Sequence, residues 1–172
     1  MSFEIPVQFI YGNGDREVLA RMRGSESDTL PEQAREAIRW SALQLDRDDE
    51  RLLASWHGTV RLSIDGLGEV LFCHATPRND TEIFTRLTPE DRLLTVFEAL
   101  DVPLVVCGHT HMQFDRAVGE VRVVNAGSVG MPFGEPGAYW LSLGPGVDLR
   151  RTSFDLVQAA ERIRGTTYPQ AH

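Results

Sequence analysis

Lysine is absent from this 172-residue chain, and all 17 basic residues are arginines. The absence excludes the phosphate-binding lysine of a P-loop, Schiff-base chemistry and a lysine general base. The formal net charge of −8 disfavours a broad electrostatic grip on nucleic acid or on an anionic membrane. A small phosphorylated substrate remains compatible with this charge if a metal ion supplies a local positive field.

Cysteine and long apolar runs are also scarce. The two cysteines, Cys73 and Cys107, lie in apolar runs without the CxxC spacing of a zinc or redox site. We therefore predict that both are buried as small hydrophobic residues. Because no run is long enough to span a bilayer and the N-terminus lacks a signal pattern, we expect a cytoplasmic protein without a membrane partner.

The hydrophobic periodicity predicts one α/β domain over residues 1–172, because the length suits a single core and no repeat or linker interrupts the pattern. Predicted strands cover 6–11, 59–64, 69–73, 102–106, 114–118, 120–125, 138–143 and 147–154, and predicted helices cover 15–23, 31–45, 47–56, 88–100 and 155–164. Asp15 and Thr88 precede apolar helical patterns, and we expect each of them to act as a helix N-cap.

A block of five residues, from Cys107 to His111, follows the apolar run 102–106. In an extended segment, residues two apart point to the same side, so His109 and His111 are expected to emerge together. Two imidazoles on one side of a strand end, beside Gly108, can bind a metal ion. Taken alone, such a pair fits an ordinary polar pocket equally well.

Two other strand ends carry polar residues, at 12–15 and at 72–75. Ligands in α/β sheets gather beyond the carboxyl ends of strands, so the three turns are expected to converge. The candidate metal ligands are Asn13, His74, His109 and His111. Imidazole favours Zn, Mn, Fe or Ni, whereas an amide oxygen is a harder ligand. Alternatively, Asn13 is a simple turn former and His74 a polar residue that ends a strand.

In this order, the Gly-Asn-x-Asp turn, the histidine after an apolar strand and the Gly-His-x-His block resemble the calcineurin-like metallophosphoesterases. The small bacterial phosphodiesterase branch is the most similar, and the run 123–132 resembles the turn that follows its Gly-His-x-His strand. The matching motifs span residues 7–154. The resemblance implies an α/β fold in which two facing mixed β-sheets are flanked by helices.

In that family, two divalent metal ions share a site and activate a hydroxide that attacks phosphorus. The resemblance implies that Asn13, His74 and His109 bind one metal and that His111 binds the other. It also implies Mn, Fe, Zn or Ni as the cofactor, with manganese expected here, and a small phosphodiester or phosphomonoester as substrate. Asp15 matches the aspartate of the first motif, where it would orient its neighbours.

The chain departs from the family pattern in two places. Many members carry a histidine that assists the leaving group where this chain has Gly14. Because loss of proton delivery typically costs about 10²–10⁴ in rate, we expect a preference for good leaving groups. The family's opening Asp-x-His and Gly-Asp-x-x-Asp motifs are also missing, so the chain is expected to be the C-terminal two-thirds of the fold, without its first βαβ segment.

Without those carboxylates, we expect one metal ion or none instead of two. A missing βαβ segment would also expose a sheet edge and an apolar face, which predisposes the chain to form homo-oligomers or to aggregate. The primary hypothesis is a metal-dependent phosphoesterase, and the alternative is a non-catalytic metallophosphoesterase-like module or an inactive truncated fragment. An amidohydrolase-type HxH site fits less well, because those sites often use a bridging lysine and occur on a longer barrel.

Several residues have no assigned role at this stage. The pattern does not decide whether Arg78, Asn79 and Arg116 contact the substrate, and solvated surface charge is the ordinary role of an arginine. The helix predicted over 31–45, which contains Trp40, fits either a cap beside the site or a contact between subunits.

Overall fold

The computed structural model describes residues 5–169 and 171. Its helices are α1 (Asn13–Met22), α2 (Glu32–Gln44), α3 (Arg47–Ser55), α4 (Glu90–Phe97) and α5 (Leu156–Arg164). Among these described helices, none combines the length and apolar character that a membrane crossing requires. The helices at 31–45 and 47–56 were predicted from apolar periodicity, and the structure confirms both to within about two residues.

A five-stranded mixed sheet, called the main sheet, forms the centre of the molecule. Its strands are β1 (Thr59–Ile64), β2 (Gly68–Cys73), β3 (Leu104–Cys107), β4 (Phe114–Val118) and β5 (Val121–Asn125), in the order β1-β2-β3-β5-β4. The pairs β2–β3 and β3–β5 are parallel, whereas β1 and β4 run antiparallel to their neighbours. The three central strands therefore place their carboxyl ends at one edge of the sheet.

A two-stranded antiparallel hairpin, called the small sheet, consists of β6 (Ala138–Leu143) and β7 (Val147–Thr152). Apolar side chains of this hairpin, including Leu141 and Leu149, pack on Val70, Leu104 and Val124 of the main sheet. The expected fold class is confirmed, since two facing sheets are flanked by helices. The smaller sheet is purely antiparallel rather than mixed.

The opposite face of the main sheet holds the larger core. Phe97 of α4 is fully buried and packs with Val105 and Val123, which are also fully buried. Phe84 joins them and forms edge-on ring contacts with Phe97 and Phe114. β3 is buried at all four positions because it is covered on both faces, which explains its uninterrupted apolar sequence.

Three local predictions are wrong. The segment 6–11 forms only an isolated parallel bridge between Ile10 and His57 rather than a strand, because alternating apolar residues form a strand only where a partner backbone lies alongside. Gly12, not Asp15, is the N-cap of α1. Thr88 does not cap α4; its hydroxyl accepts a hydrogen bond from the backbone of Thr85, and Pro89 precedes the helix.

Candidate metal centre

The candidate ligands come from three loops that meet at the carboxyl edge of the main sheet. His74 directly follows β2, the loop 108–111 follows β3, and Asn13 begins α1. The amide of Gly108 donates to the carbonyl of His74 over 2.8 Å, which ties the first two loops together. The sheet therefore brings together residues that are 61 positions apart in the chain.

His74 lies at the centre of this cluster. Its Nε2 atom is 2.9 Å from Oδ1 of Asn13 and 3.1 Å from Nδ1 of His109. A single imidazole nitrogen carries at most one proton, so it cannot donate to both neighbours at once. Nε2 of His74 can therefore form a full hydrogen bond with only one of these two neighbours, although both lie within hydrogen-bond distance.

Glycine at position 12 is required by the ring of His74. A Cβ atom placed on Gly12 would lie 2.5 Å from Nδ1 of that ring, well inside van der Waals contact. The amide of Gly12 donates to Oδ2 of Asp15 over 2.8 Å. Asp15 thus fixes the backbone on which His74 packs, although it stands in the first turn of α1 and not at its cap.

The loop 108–111 does not continue the strand. His109 and His111 have φ angles of 63° and 58°, so both residues adopt the left-handed conformation rather than the extended one that we expected. The reason is the sharp turn after β3, in which the amide of Thr110 donates to the carbonyl of Gly108 over 2.7 Å. The alternation argument therefore gave the wrong geometry for the two imidazoles.

Asn125 supports this loop, and sequence reasoning did not identify it. Its fully buried side chain donates to the carbonyl of Gly108 over 2.5 Å and to the hydroxyl of Thr110 over 3.2 Å. Its Oδ1 accepts from the amide of Gly127 over 2.9 Å. A polar residue at the end of the apolar run of β5 was the available signal, because such a buried side chain needs partners.

An open groove of about 540 Å³ lies beside the cluster. Its lining includes Asn13, His74, His109 and His111, together with further residues of α1 and with residues of α2. Helix α2 therefore borders the same groove as the candidate ligands. The described hydrogen bonds link His74 to Asn13 and His109, whereas His111 shares the groove with them.

The protonation state of His74 suits metal binding. Burial lowers the pKa of this imidazole, and the neighbouring His109 lowers it further. Burial disfavours the charged form, so the ring stays neutral at a lower pH than an exposed histidine. A neutral imidazole is the form that binds a metal ion.

The donor set fits one divalent cation better than two. Within residues 5–169 and 171, no group of three or more His, Cys, Asp or Glu side chains is arranged to hold a metal ion. The cluster of two imidazoles becomes a three-ligand set only when the amide oxygen of Asn13 is included. Three protein ligands are sufficient for a metal ion that keeps an open position.

The three residues without an assigned role have different surroundings. Arg116 donates to the carbonyl of Thr88 over 2.7 Å and braces the loop before α4. Asn79 accepts from the amide of Thr81 over 2.7 Å. Arg78 is bound by Glu82 and lines a second pocket of about 310 Å³ that also borders His74.

The family model of the calcineurin-like phosphoesterase superfamily domain matches residues 1–143. A search of the curated proteins found no match to the chain.

Two solved structures share the fold. A hypothetical protein from Pyrococcus horikoshii OT3 is 16% identical with a TM-score of 0.81, and the alignment covers 97% of this chain and 71% of that one. A metallophosphoesterase from Sphaerobacter thermophilus is 24% identical with a TM-score of 0.67, over 94% of this chain and 72% of that one. At these levels of sequence identity, the similarity shows a shared fold.

Proposed function

Because this chain belongs to the calcineurin-like phosphoesterase superfamily, a family membership that implies metal-dependent phosphoesterase activity, we propose that it hydrolyses a small phosphate ester with the help of a divalent metal ion. The observation that carries the proposal is that Asn13 and His109 both lie within hydrogen-bond distance of the same nitrogen of His74. In the proposal these three side chains hold the cation, and manganese is the expected metal. His111 lines the same groove and faces the ester.

A divalent cation held there would polarise a phosphoryl oxygen and provide an activated water near neutral pH. Neighbouring residues of the protein hold the candidate ligands in position. Asp15 holds the backbone of Gly12, Gly12 leaves room for the ring of His74, and Asn125 fixes the loop of His109. Such supporting contacts orient ligands and raise affinity.

The groove also sets the expected choice of leaving group. Gly14 lies in its lining and cannot donate a proton. An ester whose leaving group is already stable as an anion needs no such donor. We therefore expect aryl esters to react faster than alkyl esters. The ratio of the two rates should be larger than in a site that has a proton donor.

Hydrolysis of 4-nitrophenyl phosphate and bis(4-nitrophenyl) phosphate by manganese-loaded protein tests the proposal. We expect turnover that His109→Ala reduces by at least about 10²-fold, because the variant removes one ligand of the cation. His57→Ala removes an exposed histidine before β1 and serves as the matched control with unchanged turnover. Turnover by the wild type no faster than by His109→Ala would contradict the proposal.

A non-catalytic binding module is the second candidate. The observation in its favour is that the described residues hold no metal-binding group of three His, Cys, Asp or Glu side chains. Elemental analysis of protein purified without chelator separates the two candidates. The enzyme is expected to contain about one equivalent of metal, as a three-ligand site with an open position would, and the module is expected to contain none.

A further inference from the structure

The groove beside the candidate metal centre has two chemically different walls. Its polar wall consists of the histidines and Asn13, and its apolar wall consists of Val18 of α1 with Ala37 and Ile38 of α2. Val18 and Ile38 are only half-buried, and neither helix has a fully buried residue. Polar ligands and apolar side chains therefore line the same groove.

The groove offers little positive charge. Among the described residues that line it, none is an arginine, and Asp15 contributes a carboxylate. The chain has no lysine that could supply the charge instead. A doubly charged phosphomonoester would therefore meet no protein cation in the groove, and the nearby carboxylate would repel it.

The arginines on the two groove helices are paired elsewhere. Arg16 is bound by Asp80 over 2.7 Å, and Arg39 by Glu26 over 2.5 Å. Arg21 and Arg35 also lie within ion-pair distance of Glu26. These contacts keep the guanidinium groups on carboxylates, so the groove helices present apolar surface and the carboxylate of Asp15 to a ligand, and no cation.

We propose that the groove selects singly charged phosphodiesters in which one ester group is apolar, and that Ile38 and Val18 are the residues that determine this choice. The phosphate of such a ligand faces the histidine wall, and its apolar group covers the apolar wall. A phosphodiester carries one negative charge, so it needs less positive field than a monoester. The proposal concerns binding, and it rests on the proposed function only for the statement that the bound diester is then hydrolysed.

The contact between an apolar ester group and the helical wall follows from ordinary hydrophobic burial. Apolar surface beside a polar site gains free energy when an apolar group displaces water from it. Small-molecule sites commonly combine one apolar wall with a few polar groups that fix orientation. Ile38 belongs to α2, which supplies none of the candidate ligands, so this part of the apolar wall can be changed without altering the polar cluster.

Binding of two probes to metal-depleted protein in EDTA tests the proposal without turnover. The probes are diphenyl phosphate, a monoanion, and phenyl phosphate, a dianion at pH 8, and their affinities are measured by calorimetry or ligand-observed NMR. We expect the wild type to bind diphenyl phosphate more tightly. Ile38→Ser is expected to weaken diphenyl phosphate binding by about threefold to tenfold, since it removes most of one apolar contact.

Leu43→Ser is the matched control, because Leu43 lies on the same helix and is 82% exposed. Its affinities are expected to equal those of the wild type. Val18→Ser provides an independent variant on α1, in case Ile38→Ser disturbs the fold as judged by circular dichroism. Equal binding of both probes by the wild type, or unchanged affinity in Ile38→Ser and Val18→Ser, would overturn the proposal.

A charge substitution sharpens the test. Ile38→Arg places a cation on the apolar wall, and we expect it to shift the ratio of affinities by about tenfold towards phenyl phosphate. Leu43→Arg should leave the ratio unchanged. If these binding patterns hold while manganese-loaded protein hydrolyses neither ester, the proposed function fails and this inference stands. If hydrolysis is observed without the binding patterns, the inference fails alone.

Discussion

At the residue scale, Gly12 decides where the ring of His74 can lie. Gly12→Ala would place a methyl group 2.5 Å from the ring, so the imidazole must leave its present position relative to Asn13 and His109. We expect metal affinity to fall by about tenfold or more, as it does when a supporting contact of a ligand is lost. Titration with manganese or zinc, followed by competition with a chelator, measures the effect.

Gly14→Ala is the control for this substitution. It adds the same methyl group two residues away, where nothing lies within 4 Å of the added atom. Metal affinity of this variant should equal that of the wild type. Equal affinity in both variants would mean that the close approach of Gly12 to His74 has no role in metal binding.

Gly14 also allows a test of proton delivery. The open space at this position admits a histidine, and Gly14→His would place a proton donor in the groove. We expect alkyl phosphodiesters to gain about 10²-fold in kcat/KM while aryl esters gain much less, because only poor leaving groups need protonation. The measurement uses a series of esters that differ in the pKa of the leaving group. We expect the rate to depend less steeply on that pKa in Gly14→His than in the wild type. A uniform gain across the series would contradict the assigned role.

At the scale of elements, residues 167 and 168, which follow α5, contact helix α2. Nε1 of Trp40 donates to the hydroxyl of Thr167 over 2.9 Å, and the rings of Trp40 and Tyr168 meet edge-on with centroids 5.3 Å apart. The contact joins residues 127 positions apart, so it links the chain's C-terminal region to one wall of the groove.

Tyr168→Ala is expected to loosen this helix. Aromatic pairs contribute about 0.5–1.5 kcal/mol beyond burial. Because each 1 kcal/mol lowers Tm by about 2–4 °C in a protein of this length, we expect Tm to fall by about 1–6 °C. Faster amide exchange should be confined to α2 and its neighbours. Leu43→Ala, which truncates an exposed side chain on the same helix, should leave both measurements unchanged.

Elements whose pattern is local were predictable from the sequence. The hairpin of β1 and β2 follows from two apolar runs joined by Asp65, Gly66 and Leu67, and the structure confirms its antiparallel register. The segment 6–11 shows the opposite case, since its alternation suggested a strand but only Ile10 gains a β-bridge partner, His57. The tertiary structure decides whether a partner strand lies alongside, and the local alternation of residues carries no information about it.

The candidate site was predictable as a set of residues but not as a geometry. The ends of β2 and β3 bring His74 and His109 together, as the rule for α/β sheets anticipated. Asn13 joins them from the start of α1 and not from a strand of the main sheet. The left-handed turns at His109 and His111 were not predictable, because they depend on the contacts of the loop with Asn125. The ligand assignments themselves stay predictions that metal titration will test.

At the scale of the whole molecule, the larger core on one face of the main sheet buries both cysteines. Cys73 and Cys107 are free thiols with 2% and 3% exposure, which confirms the sequence prediction. Burial raises the pKa of Cys73 to about 12, and burial also raises that of Cys107. Since the thiolate is the reactive form, both thiols should be inert in the folded protein.

Alkylation by iodoacetamide at pH 8 measures this protection. The native protein should remain unmodified over a period in which protein unfolded in guanidinium is alkylated at both of its cysteines. The rate in the native state therefore reports opening of the core around β2 and β3. Modification of either cysteine as fast as in the unfolded chain would show that the main sheet is not packed as described.

The backbone of the loop 108–111 has a consequence for stability. His109 and His111 both have a positive φ angle, which costs an ordinary L-residue about 1–2 kcal/mol. Glycine would relieve that cost at either position. The chain therefore gives up conformational free energy to place two imidazoles at this edge of the sheet.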